Sequence, residues 1–145
     1  MDNLSKKARS ALMAKVKREN THPELIVRKF LFSKGFRYRI NDSRYPGSPD
    51  IVLPKYHAVI FVHGCFWHGH KNCRAARLPT TNLEYWQKKR EQNIERDRKK
   101  IELLERDGWQ VIILWECQLK KKDRRISELD ALVQKIKSGF ATKCT

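Results

Sequence analysis

Apolar positions along the chain change their period several times, and each change marks an element. Ile26, Val27, Phe30 and Leu31 recur at helical spacing behind Thr21-His22-Pro23-Glu24, a capping box with proline suited to the first turn. Gly35 is a natural stop for that helix. Phe36-Arg37-Tyr38-Arg39-Ile40 alternates apolar and basic residues, which predicts a strand with one wet face, and the stretch from Asn41 to Pro49 is rich in turn formers. Asp50 to Leu53 and His57 to Val62 predict two short strands, plausible as an antiparallel pair around Pro54-Lys55-Tyr56. Val59-Ile-Phe-Val62 reads as buried on both faces and hence central. After an irregular stretch from Gly64 to Asn82, Thr81-x-x-Glu84 opens a long helix to about Asp107, closed by Gly108. Trp109 to Trp115 is another apolar strand, Lys120 to Arg125 reads as a basic loop, and Ser127 caps a last helix with Leu129, Leu132, Val133 and Ile136 inward. The order α-β-β-β-α-β-α has no internal repeat. It predicts an α/β fold, a mixed β-sheet flanked by helices, with one right-handed crossover.

Composition adds a domain count and a partner. At 145 residues the chain suits one domain, read as residues 21–145, preceded by a basic arm over residues 1–20 that carries Lys6, Lys7, Arg9, Lys15, Lys17 and Arg18. No apolar run approaches a membrane span and the N-terminus lacks a signal-peptide core, so the expected place is the cytoplasm with no membrane partner. A formal charge of +16 calls for a polyanion, nucleic acid first, because each neutralised phosphate releases condensed counterions. A ribosome-associated protein, or a surface basic for solubility alone, would share that charge.

The candidate chemistry sits in the irregular stretch and at the strand ends. Cys65-x4-His70-x2-Cys73, completed at a distance by Cys117, can close a tetrahedral zinc site. His68 competes with His70 for the fourth position, and spacing does not choose between them. Four protein ligands leave no open coordination position, which makes such a zinc structural; the plainer alternative is a set of free buried cysteines. Cys144 lies near the terminus and is left out.

Pro49-Asp50 stands after a turn and before a buried hairpin, where restriction-type nucleases place a Pro-Asp followed by acid-x-Lys on the next strand. Here those later positions are Phe61 and His63, so the second acid and the lysine are absent. In the long helix, Trp86, Asn93, Ile94, Ile101 and Leu104 share one face, with Asp97 inside the stripe. A carboxylate on a core face needs a partner such as histidine or arginine, and an ordinary salt bridge would also satisfy it. Phe66 and Trp67, with Trp86, can stack on bases beside a basic surface or can simply cover the loop.

Together these residues resemble the very short patch repair endonucleases. The likeness runs from about Ser10 to Leu119 and rests on Thr21-His-Pro-Glu24, Tyr45-Pro-Gly-Ser-Pro-Asp50, Phe61-Val-His-Gly-Cys-Phe-Trp-His-Gly-His70, Glu84-Tyr-Trp86, Asn93-Ile-Glu-Arg-Asp97 and Trp115-Glu-Cys117. The resemblance implies a restriction-endonuclease-like fold with a structural zinc, and magnesium-dependent nicking of one strand of double-stranded DNA at a T·G mismatch. It implies Asp50 as magnesium ligand, with the Val62 backbone carbonyl beside it. It also implies His68 as general base oriented by Asp97, with Glu24 and His63 supporting. By the same resemblance Phe66, Trp67 and Trp86 intercalate, and zinc is held by Cys65, His70, Cys73 and Cys117. Lys15, Lys17 and Arg18 of the arm are expected to bind DNA. The further expectations are a bacterial, nucleoid-associated monomer with mismatch-repair proteins as candidate partners. Two departures stand out: Lys71-Asn72 makes the His70-to-Cys73 interval one residue longer than in some members, and Val62 replaces a threonine found in some. The rival readings are a restriction-like nuclease with another DNA target and a non-catalytic, zinc-stapled DNA-binding module.

Overall fold

A computed structural model describes residues 22–144. The basic arm, with Lys15, Lys17 and Arg18, and the capping residue Thr21 therefore lie outside the described residues. Helix α1 (His22–Ser33) buries Glu24, Val27, Arg28 and Leu31, the helical face that the apolar spacing marks. It ends at Gly35, whose φ of +88° lets Phe36 N–H return to the Leu31 carbonyl at 3.0 Å. That closure takes Phe36 into the core and out of the sheet. The expected strand 36–40 consequently shrinks to β1 (Arg39–Ile40), the length that its short neighbour β2 (Ile51–Leu53) can pair.

β2 and β3 (Ala58–His63) form the expected antiparallel pair, joined by a 3-10 turn over Pro54–Tyr56 and by His57 in the left-handed region. All six residues of β3 are buried, because the strand is covered on both faces and paired on both edges. Helix α2 (Leu83–Arg106) then crosses over to β4 (Gln110–Trp115), which pairs parallel to β3, and the sheet order is β1-β2-β3-β4.

Side-chain alternation splits the interior in two. Ile51, Leu53, Ala58, Ile60, Val62, Ile112 and Leu114 point to one face and pack with α1 and the C-terminal helices. Val52, Val59 and Phe61 point to the other and meet only Leu104 of α2, with Tyr45, Trp109, Val111 and Ile113 partly buried around them. At roughly 1.5–3 kcal/mol per fully buried aliphatic side chain, the first face carries most of the stability. The second is thin, which leaves room for a cleft between sheet and helix.

Three expectations change. The long helix opens without the Thr81–Glu84 box: Asn82, at φ 57°, caps it, and Trp86 N–H bonds to the Asn82 carbonyl. Its supposed core stripe buries only Leu104 fully, while Ile94 is exposed, so that face forms a cleft wall. The basic stretch 120–125 is helical rather than a loop. A short α3 (Glu116–Lys120) leads into α4 (Lys122–Cys144), and Ser127 lies inside that helix instead of capping it. Lys and Arg are good helix formers when their charges face solvent, and Asp123 sits in the first turn, where an acid suits the helix dipole. Leu129, Leu132, Val133 and Ile136 point inward as the pattern requires. Among the described residues no helix is long and apolar enough to cross a membrane.

Candidate active cleft and metal centre

The stretch Gly64–Asn82 hangs between the end of β3 and the start of α2, and its two histidines turn to different neighbours. His68 Nδ1 lies 2.6 Å from Asp97 Oδ2 on α2. His70 Nδ1 lies 3.5 Å from Cys117 Sγ, and the His70 ring stacks on Trp115 at 4.1 Å between centroids. Gly69 between them has φ +63°, and a Cβ there would meet Ile94 and Arg90 of α2 at 2.9 and 3.0 Å. Any other residue would be strained and crowded at this reversal.

The donor atoms of Cys65, His70, Cys73 and Cys117 all lie within 4.8 Å of one another. Zinc–sulfur bonds near 2.3 Å set tetrahedral edges of roughly 3.8 Å, so three thiolates and an imidazole in this arrangement suit a zinc ion. The longer interval before Cys73 is taken up by Asn72 at φ 58°, a residue type that tolerates the left-handed turn. Burial pushes the Cys65 thiol up to about 12, a cost that a bound cation removes by favouring the thiolate.

His63, His68 and Asp97 form a second close group. The rings of His63 and His68 stack at 3.8 Å and 5° from parallel. Imidazole lone pairs lie in the ring plane, so two parallel rings cannot both aim at one ion. His68 Nδ1 is moreover already bonded to Asp97. The geometry is that of an imidazole paired with a carboxylate and stacked on a second imidazole, not of three donors converging on one point.

Its electrostatics agree. Burial alone would raise the Asp97 carboxyl, but the His68 hydrogen bond, helped by the charge of Lys100, holds it below its ordinary value. Ionised, Asp97 can only accept, so His68 Nδ1 is the donor in that hydrogen bond. Burial, with the neighbouring His68, pushes His63 down to about 3, so His63 is neutral at physiological pH.

Asp50 sits just before β2, and its Oδ2 accepts the Val62 N–H at 2.6 Å. Burial pushes its carboxyl up to about 7, against that hydrogen bond, and the charge of Glu24 adds to the rise. Glu24 is itself buried and pairs with Arg28 at 3.1 Å. Two acids brought together in a half-buried cleft form a donor pair that a divalent cation would stabilise. Asp50, Val62, His63, His68, Asp97 and Glu24 all line one cleft of about 750 Å³. Phe66, Trp67 and Trp86 form a half-buried aromatic group beside it, with centroids 5.2–6.4 Å apart, and Trp67 reaches the cleft wall.

The DNA mismatch endonuclease Vsr family matches residues 1–74 of the chain. Type II nicking enzyme V.NmeAIP of Neisseria meningitidis is 50% identical over 131 residues, spanning 90% of this chain and 93% of that protein. The chain belongs to the Vsr family. It is therefore a DNA endonuclease. Other relatives are Type II nicking enzyme V.XorIIP of Xanthomonas oryzae, 44% identical over 94% of this chain and 95% of its own, and DNA mismatch endonuclease Vsr of Escherichia coli, 39% identical over 85% and 78%.

Some residues of this Vsr-family cleft escape the sequence motifs. Lys89 and Lys100 line it together with Asn93, Arg96 and Asp97 of the helix motif. Their spacing of three and four residues is a helical stripe of polar groups, a signal hidden by attention to the apolar positions. Arg90 is a second omission. Its Nη2 donates to the Phe66 carbonyl at 3.1 Å and to that of Ala76, and its guanidinium lies over the Phe66 ring.

Proposed function

We infer that this Vsr-family endonuclease nicks one strand of duplex DNA beside a T·G mismatch, as the incision step of very short patch repair. The reaction is magnesium-dependent phosphodiester hydrolysis. The observation that supports this reading is the convergence, in one cleft, of the half-buried Asp50 carboxyl and the ionised Asp97 hydrogen-bonded to His68. Asp50, with the Val62 carbonyl, would hold magnesium, which acts when bound as a Lewis acid on the phosphate.

His68 Nε2 takes the proton of the attacking water, and Asp97 fixes the tautomer and offsets the charge that His68 gains. His63, held neutral, packs against the His68 ring without opposing that charge. Glu24 supports the cation beside Asp50. Phe66, Trp67 and Trp86 intercalate next to the mismatch, while Lys15, Lys17 and Arg18 grip phosphates. Zinc on Cys65, His70, Cys73 and Cys117 fastens the loop to the end of β4. The chain acts as a monomer in the bacterial cytoplasm.

A second reading keeps the chemistry and changes the target, and it is favoured by the names of two relatives, which call them Type II nicking enzymes. One experiment separates the two. End-labelled duplexes carrying T·G, other mismatches or no mismatch are incubated with the protein, with and without magnesium. The first reading expects a single nick on the T·G duplex alone and only with magnesium. Equal nicking of matched DNA at a defined sequence would establish the second, and nicking without a divalent cation would overturn the mechanism.

A further inference from the structure

The cleft is lined by three cations, Lys89, Arg96 and Lys100. Lys89 and Arg96 are exposed, whereas Lys100 is half-buried. The turn before Asp50 covers it. Gly47 stands at φ +75°, and a Cβ there would come within 2.7–2.8 Å of Lys100 Cβ, Cγ and Cδ. The lysine stem thus lies on bare backbone, with no room for a side chain between them, and its course is fixed by that contact.

Lys100 also stands one turn after Asp97, on the same side of α2. Its charge is felt at Asp97, where it helps hold the carboxyl below its ordinary value. Among the described residues it nevertheless forms no ion pair, because Asp97 is engaged by His68. An ammonium with a fixed stem and no carboxylate partner, beside a proton-accepting histidine, is placed for an anion that arrives from outside. The sheet provides no lysine here, since the position where restriction-type nucleases carry one is His63.

We propose that Lys100 Nζ donates to a nonbridging oxygen of the phosphate to be cleaved, so that the reaction's cation comes from α2 instead of from β3. The proposal rests on the nuclease reading above. In hydrolysis the water oxygen bonds to phosphorus and its proton passes to His68. The bond from phosphorus to the leaving deoxyribose oxygen then breaks, and that oxygen is protonated from solvent. Between these events negative charge builds on the nonbridging oxygens, where a lysine N–H counts most.

The test uses the zinc-loaded full chain and T·G duplexes that each carry one uncharged methylphosphonate, scanned across the central phosphates. Lys100→Met keeps the stem and removes the charge, Lys100→Arg keeps the charge, and circular dichroism with a melting curve confirms folding. Should Lys100→Met misfold, Lys100→Gln is read in its place. On native DNA with magnesium, Lys100→Met is expected to nick on the order of 100-fold more slowly, with Lys100→Arg recovering part of the loss. Without magnesium its salt slope should fall by about 0.9. Its binding deficit should vanish on one duplex only, the one neutralised at the nicked phosphate.

A folded Lys100→Met that nicks at the wild-type rate overturns the proposal, as does a deficit that persists on every methylphosphonate duplex or vanishes at another phosphate. A wild-type chain that nicks none of these duplexes overturns the T·G reading instead. The scan then still decides whether Lys100 grips a single phosphate.

Discussion

The cleft and the Cys/His cluster share a loop and are separated by one residue and one indole, yet they are built on opposite principles. Trp115, at the end of β4, meets His63 edge-on at 5.2 Å and stacks on His70 at 4.1 Å, so it forms the partition between them. On the cluster side four soft donors converge, which leaves nothing for a substrate. On the cleft side a carboxyl is held at about 7, a histidine is held neutral, and the groups open onto a cavity of about 750 Å³. The difference teaches where each region's free energy goes. A closed donor set converts metal binding into folding stability. The cleft instead holds Asp50 and His63 in protonation states that burial imposes at a cost in free energy.

The largest effect that can test this contrast lies in the cluster. Cys117→Ser should release the zinc and cost on the order of 5 kcal/mol, because metal affinity and folding are linked there. His68→Ala, two residues from His70, should keep a full zinc complement and a normal melting curve while nicking is lost. Metal content and urea titrations read both variants. If His68→Ala sheds zinc and His70→Ala does not, the division between the two histidines is wrong.

A smaller effect, of opposite sign, is expected in the cleft. The Asp50 carboxyl lies at about 7, raised from its ordinary 3.8 chiefly by burial. Between those values the folded chain keeps a proton that the unfolded chain has released. The stability Asp50 contributes is therefore fully present below about pH 4 and is lost as pH rises through about 7. Asp50→Asn removes this titration with little change of shape. Without magnesium it should be more stable than wild type at about pH 8, on the order of 3 kcal/mol, with the gap closing toward about pH 4. Nicking should be abolished. An Asp50→Asn chain no more stable than wild type at high pH would show that the carboxyl is not strained in the cleft.

The same contrast explains what could be read from the sequence. The central strand was legible because Val59-Ile-Phe-Val62 has no polar alternation, and β3 is buried throughout. The four donors that converge in the cluster were legible as a set, but spacing alone did not choose His70 over His68, and only the family resemblance pointed to His70. Spacing is one-dimensional, while the choice depends on the reversal at Gly69 and on Trp115 arriving from β4. Asp97 announced that it needed a partner, and His68 occupies that place. The apolar stripe around it misled, since Ile94 and Trp86 pack on a loop rather than on the sheet. Ser127 misled for a local reason, as capping chemistry inside a lysine-rich helix looks the same as at its start. Lys100 was invisible, because nothing marks a lysine whose stem crosses a glycine fifty-three positions earlier.

Arg90 offers the finest test, because it touches both regions at once. One Nη2 donates to the Phe66 carbonyl beside the cleft and to the Ala76 carbonyl just past Cys73. The guanidinium also lies 5.5 Å from the Phe66 ring centroid. These contacts tie the aromatic group to α2, but the four donors of the cluster are held without them. Arg90→Met fills similar space and removes both hydrogen bonds, at a cost of about 1.5–3 kcal/mol for bonds from a charged donor. If the regions are independent, zinc should stay bound while Phe66 loosens. Binding to mismatched duplex should then weaken by roughly tenfold, about 1.4 kcal/mol, if the cost of about one such bond falls on the bound state. Zinc retention is measured against a competing chelator, and loop order by hydrogen exchange at residues 64–76. Faster zinc loss in proportion to the loosening would show that the loop is a single unit and that the partition at Trp115 does not isolate its two halves.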